Sequence, residues 1–394
     1  MSLNSTQSAE RIHIGFFGCR NVGKSSIVNK ITNQEMSIVS KIKGTTTDPV
    51  KKSMEILPLG PVLIIDTPGI DDEGTLGEER IKRTKKVIKT CDIAVLITEA
   101  NRPFNSFENE LIDTFNENKT NYIVVKNKCD LVPNHGKEDG VIFASAKYNT
   151  GIEEIKEAIA KFTKQEERFF VKDLVKKGDL VLLVTPIDGS APKGRIILPQ
   201  QQAIRDILDA EGTILVTKET TLKDTLNSLG RKPDLVITDS QVFKVVSEIV
   251  PEDIPLTSFS ILMSRYKGFL DEAIKGAEEI DKIEDGDSIL ISEGCTHHRQ
   301  CEDIGTVKIP NLLKKYTGKT IHFEWTNGGN FPDDLKKFKL VIHCGGCMLN
   351  DLEMKRRMEI AKENNVPFTN YGITISYLNG ILDRTIKPLK KDNL

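Results

Sequence analysis

The mostly apolar run Ile12-His13-Ile14-Gly15-Phe16-Phe17 passes without a break into Gly18-Cys19-Arg20-Asn21-Val22-Gly23-Lys24-Ser25. The G-x-x-x-x-G-K-[ST] spacing needs a strand before it and a helix after it, and Ser26 to Ile31 continues with helical character. That requirement leaves little freedom: the chain must begin as a strand, loop and helix of a parallel sheet. In such a loop the glycines let backbone N–H groups close around phosphate oxygens. Lys24 then reaches the β- and γ-phosphates, and the Ser25 hydroxyl is a magnesium ligand. Gly18, Asn21, Val22, Gly23, Lys24, Ser25 and Ser26 are the expected phosphate-side residues.

Three further stretches extend this reading. Ile64-Ile65-Asp66-Thr67-Pro68-Gly69 is a strand ending in D-x-x-G, where Asp66 holds magnesium through water and the Gly69 amide senses the γ-phosphate. Tyr122 to Val125 is a strand leading to Asn127-Lys128-Cys129-Asp130, the N-K-x-D pattern. An aspartate there accepts from the N1 and N2 hydrogens of guanine, which adenine does not offer, so the expected nucleotide is GTP or GDP. Ser145-Ala146-Lys147 matches the last contact to the base, and Thr46 in Gly44-Thr45-Thr46-Thr47-Asp48 is the expected switch threonine that completes the magnesium shell. Ile70 follows Gly69 where Ras-like enzymes carry a water-positioning glutamine, so slow intrinsic turnover is expected. Lys24, Thr46, Asp66 and Gly69 are the expected hydrolytic set.

A chain of 394 residues suggests several domains. The pattern predicts an α/β protein: a P-loop GTPase domain over 1–168, then two further α/β domains with mainly parallel sheets over 169–265 and 266–394. In the middle stretch, strands at Leu180 to Val184, Thr213 to Val216 and Leu235 to Thr238 alternate with helices, and neither histidine nor cysteine occurs there. Self-association is its expected role, with Asp188, Lys193 and Arg195 of the Gly/Pro-rich loop as candidate subunit contacts. The last stretch resumes the alternation, with strands expected at Ser288 to Ile291, Lys319 to Phe323 and Leu340 to Ile342, and a helix at Asp351 to Glu363.

Charge narrows the partner classes. Lys plus Arg total 55 against 57 Asp plus Glu, and no basic tail or patch points to nucleic acid. No segment approaches the ~20 apolar residues of a membrane span and no secretory signal is apparent, so a cytoplasmic location is expected. An odd count of 7 cysteines favours thiols and thiolate ligands over a disulfide framework. Cys19, Cys91 and Cys129 are expected to be small packed side chains.

Two ligand-rich stretches each follow an apolar strand: Cys295-Thr296-His297 after Ile289 to Ile291, and His343-Cys344-Gly345-Gly346-Cys347 after Leu340 to Ile342. Beyond the carboxyl ends of neighbouring strands, these would bring three thiols and one or two imidazoles together. A 4Fe-4S cluster with one open iron suits three cysteines and an uncertain fourth partner. A Cys3His zinc site uses the same residues. A redox pair at Cys344 and Cys347 is a third option, which leaves Cys295, His297 and His343 without purpose.

The first domain resembles the TrmE–Era group of GTPases, through G-T-T-x-D and N-x-G-K-S; the resemblance implies that Asn21 can ligate potassium. The runner-up function it suggests is a GTPase acting on tRNA or the ribosome, with a C-terminal structural zinc site. The whole chain resembles the HydF family, the GTPase scaffold of FeFe-hydrogenase maturation. That resemblance rests on C-x-H, then H-C-x-x-C, and the loop string A-P-K-G-R-I-I-L-P-Q. It implies a homodimer and a 4Fe-4S cluster on Cys295, Cys344 and Cys347, with His297 and His343 tuning the cluster or filling its fourth position. It further implies two radical-SAM maturases that supply a transient di-iron subcluster, and delivery of that subcluster to apo FeFe-hydrogenase.

Overall fold

The structure, a computed structural model, describes residues 11–33, 50–56, 59–67, 84–132, 136, 138–162, 168–187, 196–294 and 303–390. The chain forms two compact units, Met1–Glu166 and Glu167–Leu394.

In the first unit, β1 (Ile12–Phe17), β2 (Val50–Ile56), β3 (Gly60–Asp66), β4 (Ile93–Glu99), β5 (Asn121–Asn127) and β6 (Val141–Phe143) form one sheet in the order β2-β3-β1-β4-β5-β6. Only β2 runs antiparallel to its neighbour; the other pairings are parallel. Successive side chains of a strand point to opposite faces. Ile64 of β3 therefore joins Ile14, Phe16 and Val95 on one face, and Ile65 joins Phe17, Leu96 and Phe115 on the other. Covered on both faces, these strands are continuous apolar runs, and each fully buried Ile or Val contributes about 1.5–3 kcal/mol. The helix Lys24–Thr32 leaves the end of β1 through Gly23, whose φ of 92° favours glycine.

The second unit holds two four-stranded parallel sheets. One contains β7 (Leu180–Val184), β8 (Thr213–Thr217), β9 (Leu235–Thr238) and β10 (Leu256–Ser258) in the order β10-β9-β7-β8. The other contains β11 (Ser288–Glu293), β12 (His322–Asn327), β13 (Leu340–His343) and β14 (Phe368–Asn370) in the order β12-β11-β13-β14. Both have the same winding: the first strand lies between the second and third, and the fourth is outermost beside the third. One apolar core runs through both, joining Leu182 and Val236 of the first sheet to Ile289 and Val341 of the second.

Matching helices follow the fourth strand of each sheet. Ser258 caps Phe259–Tyr266 by accepting from the Ile261 amide at 3.2 Å, and Asn370 caps Tyr371–Leu378 by accepting from the Ile373 amide at 2.8 Å. The two helices meet where the Gly372 amide donates to Ser260 Oγ at 3.2 Å. A Cβ on Gly372 would lie 2.7 Å from that of Ser260, so the approach requires glycine.

One strand differs from the sequence expectation. β12 begins at His322 and runs to Asn327, where the sequence suggested Lys319 to Phe323. It is an edge strand with no buried residue, so hydrophobic alternation does not mark its register. Thr320 lies before it, its backbone N–H donating a hydrogen bond to Asp285 Oδ1 at 2.7 Å.

Candidate functional site

Beyond the carboxyl ends of β1, β5 and β6 lies a cleft of about 810 Å³ lined by Asn21, Gly23, Asn127, Asp130, Ser145 and Lys147, among others. Ser26, Lys128 and Ala146 line it too. Asn127 ties its two halves together: Nδ2 donates to the Val22 carbonyl at 2.8 Å, and Oδ1 accepts from the Ala146 amide at 3.2 Å. Phosphate loop and base-reading loops are thus fixed to one another. Ser145 Oγ donates to Asp130 Oδ1 at 2.6 Å, which aims the carboxylate that would read guanine. A Cβ on Gly23 would stand 2.2 Å from Asn127 Nδ2, so this contact exists only because Gly23 has no side chain.

Lys24 is buried, and its ammonium donates to the carbonyls of Gly18 at 2.8 Å and Cys19 at 2.7 Å, curled back inside the loop. Ser25 Oγ lies 3.4 Å from Asp66 Oδ2. The other Asp66 oxygen is buried without a hydrogen-bond partner among the described residues. Burial raises the Asp66 pKa from its usual 3.8 to about 6, against the opposing pull of Lys24 and Ser25. A buried carboxylate oxygen left unsatisfied beside a hydroxyl fits a divalent cation. Ser25 and Asp66 are the residues that would hold such an ion. Thr46 and Gly69 lie outside the described residues.

Sequence reasoning missed the supports of this cleft. Lys128 pairs with Glu99, which lies 3.5 Å from Arg102; Arg102 in turn makes two 2.7 Å bonds to the buried Glu108. Asn105 caps the helix Ser106–Glu117 and donates to Cys19 Sγ at 3.2 Å. Cys19, Cys91 and Cys129 are all buried.

The second site lies between β11 and β13. Strand order reverses there, because the chain leaves β11 for β12 on one side and returns to β13 on the other, and such switch points open a crevice at the strand ends. β13 ends at His343, directly before Cys344. Cys344 Sγ accepts from the Gly294 amide at 3.1 Å and from the Gly346 amide at 3.4 Å. Gly346 has φ of 67°, and a Cβ there would meet Met354 Sδ at 2.6 Å, so the turn needs glycine. Backbone donors aimed at a sulfur suit a thiolate that carries metal, and the two cysteines sit on one short turn. Burial raises the Cys344 thiol pKa, and burial with the neighbouring Cys344 pushes Cys347 up to about 12. Metal binding here must therefore displace protons. Cys295, His297, His298 and Cys301 lie outside the described residues.

Buried charges surround this turn, and none carried a recognisable sequence signal. Lys267 is 4% exposed, and its ammonium donates to the Leu349 carbonyl at 2.7 Å and Asp351 Oδ1 at 3.0 Å. Arg357 is fully buried and donates to His343 Nε2 at 2.9 Å and Glu353 Oε1 at 2.9 Å. His343 also bonds the Cys344 carbonyl through Nδ1 at 2.7 Å. Burial, with Arg357 beside it, lowers the His343 pKa to about 3.

Residues 13–128 match a family model described as 50S ribosome-binding GTPase, residues 170–268 the hydrogen maturase F dimerization domain, and residues 271–388 the hydrogen maturase F tetramerization domain. The chain is 30% identical over 189 residues to GTPase Era of Fusobacterium nucleatum, covering 44% of this chain and 64% of that protein. It is 34% identical over 154 residues to the tRNA modification GTPase MnmE of Coxiella burnetii, covering 37% of this chain and 34% of that protein. Among solved structures it is similar to Aquifex aeolicus Era bound to GDP.AlF4-, with 18% identity, a TM-score of 0.34, and coverage of 52% of this chain and 93% of that one. No helix among the described residues is long and apolar enough to cross a membrane. A GTPase domain is followed by two hydrogen maturase F models that together span more than half of the 394 residues: the chain belongs to the HydF family, with a TrmE–Era-like GTPase domain.

Proposed function

We propose that this chain is a slow GTPase and an iron-sulfur scaffold that accepts a di-iron subcluster precursor from radical-SAM maturases and delivers it to apo FeFe-hydrogenase. The observation that most supports this is the Cys344 sulfur, which receives two backbone amides at the strand switch point of a hydrogen maturase F domain. Cys344 and Cys347, with Cys295, would hold a 4Fe-4S cluster. That cluster, when bound, offers an iron with an exchangeable position for incoming ligands. His297 is a candidate fourth ligand.

In the first unit Ser25 and Asp66 would hold magnesium, joined by Thr46 when the γ-phosphate is present. That ion, when bound, would supply neutralisation of phosphate charge. Lys24 exchanges its two carbonyl partners for phosphate oxygens, Asp130 reads the base, and the Gly69 amide reports the γ-phosphate. Asn21, which lines the cleft, would ligate potassium. Slow hydrolysis suits a switch that changes which surface is offered to a partner. Self-association through 170–268, a homodimer at minimum, is in keeping with the family models for both halves of the second unit. The expected location is the cytoplasm.

The test is an activation assay with apo FeFe-hydrogenase and both radical-SAM maturases. Wild type restores hydrogenase activity, whereas Cys344→Ser does not and still hydrolyses GTP. Equal activation by both proteins would refute the scaffold role.

A further inference from the structure

Among the described residues Arg357 is the largest fully buried side chain. A charge enclosed in this way is costly unless every donor is met. Nε donates to Glu353 Oε1 at 2.9 Å, Nη1 to His343 Nε2 at 2.9 Å and to Ser292 Oγ at 3.5 Å, and Nη2 to the Gly328 carbonyl. The guanidinium also lies over the Phe331 ring, 5.1 Å from its centroid. One side chain on the helix Asp351–Glu363 thus gathers the ends of β11 and β13 and the turn after β12.

The contact to His343 has a chemical consequence. A guanidinium donates and never accepts, so His343 Nε2 must be the acceptor, and the ring proton is on Nδ1. Nδ1 then donates to the Cys344 carbonyl at 2.7 Å. The ring is fully buried and stacked on Phe368, with centroids 5.8 Å apart and planes at 26°. Neither ring nitrogen has a lone pair left for iron.

We propose that Arg357 is a positioning residue that locks His343 in the Nδ1-protonated form, withholds that imidazole from metal, and anchors the Cys344 carbonyl at the start of the cysteine turn. Its consequence for the cluster rests on the scaffold reading; the lock itself does not. His343 braces the turn from behind, so the fourth iron position is filled by some other group.

Two measurements test this on the full chain. In metal-free protein labelled with ¹⁵N-histidine, the His343 resonance, assigned by its loss in His343→Gln, shows the proton on Nδ1. Arg357→Met releases the lock and mixed tautomers appear, while Arg357→Lys, which keeps a donor, retains the Nδ1 form. An Nε2-protonated ring in wild type overturns the proposal whether or not the variants fold. In anaerobically reconstituted, reduced protein, pulsed EPR finds the same nitrogen couplings in wild type and His343→Gln. A strong coupling that vanishes in His343→Gln overturns it as well. Iron and sulfide counts on the same samples separate the two ideas: protein that binds no iron fails the scaffold reading, and the tautomer measurement still judges the lock.

Discussion

The Gly294 amide lies 3.1 Å from Cys344 Sγ, so the residue just before Cys295 and the first residue after β13 are in direct contact. Two stretches fifty residues apart in the chain thereby share one sulfur environment. A Cβ on Gly294 would lie 2.8 Å from Leu349 Cγ. Gly294→Ala should force Leu349 aside and lengthen the amide–sulfur contact, at roughly 1–3 kcal/mol. Denaturant unfolding of the second unit measures the cost, and iron retention in the presence of a chelator should fall with it.

Gly23→Ala is expected to act on the first unit alone. The new methyl group would collide with Asn127 Nδ2, and φ of 92° is unfavourable for alanine. GDP affinity should drop on the order of 100-fold, about 2.7 kcal/mol, in a fluorescent-nucleotide titration. Iron binding by the second unit should be unaffected.

Asp66 predicts a pH dependence with a definite sign. Its carboxyl binds a proton more tightly folded, at about 6, than at its usual 3.8. That contribution to nucleotide-free stability is fully present below about pH 4 and is lost as pH rises through 6. Asp66→Asn should therefore stabilise the nucleotide-free domain at pH 7.5, on the order of 1–3 kcal/mol, and flatten the profile between pH 4 and 7 in thermal melts. Magnesium-dependent GTP binding should weaken in the same variant, and in wild type it should decline as pH falls through 6.

Lys267 predicts a stability effect near the cysteine turn. Lys267→Met keeps the aliphatic stem but strands the Leu349 carbonyl and leaves Asp351 only its 3.4 Å pair with Arg168. A loss of about 1–3 kcal/mol in denaturant unfolding is expected. Nucleotide affinity should be unchanged.

The nucleotide cleft was legible because its parts are contiguous motifs, each following an apolar strand. Gly18 to Ser25, Asp66 and Asn127 to Asp130 stand at strand ends as their spacing requires. β7, β9, β11 and β13 were legible as apolar runs covered on both faces. β2 carried no strand expectation and β12 was placed three residues early, because an edge strand alternates or exposes its residues and leaves no such run. Arg357 and Lys267 were invisible for a different reason. Each is a charged residue within an ordinary polar stretch, and its burial depends on strand ends distant in sequence. The same holds for Glu99, whose role appears only when β4 and the Lys128 turn come together. The core common to both sheets of the second unit is likewise a product of tertiary packing that no local pattern announces.

In the proposed function the second unit binds an iron-sulfur cluster through Cys344 and Cys347. The most direct test is iron and acid-labile sulfide analysis, with EPR of the reduced protein, after purification and reconstitution without oxygen. About four irons and four sulfides per chain are expected, with a fast-relaxing S = 1/2 signal. Cys344→Ser should lose both the iron and the signal. Stoichiometric zinc with no sulfide under the same conditions would contradict it.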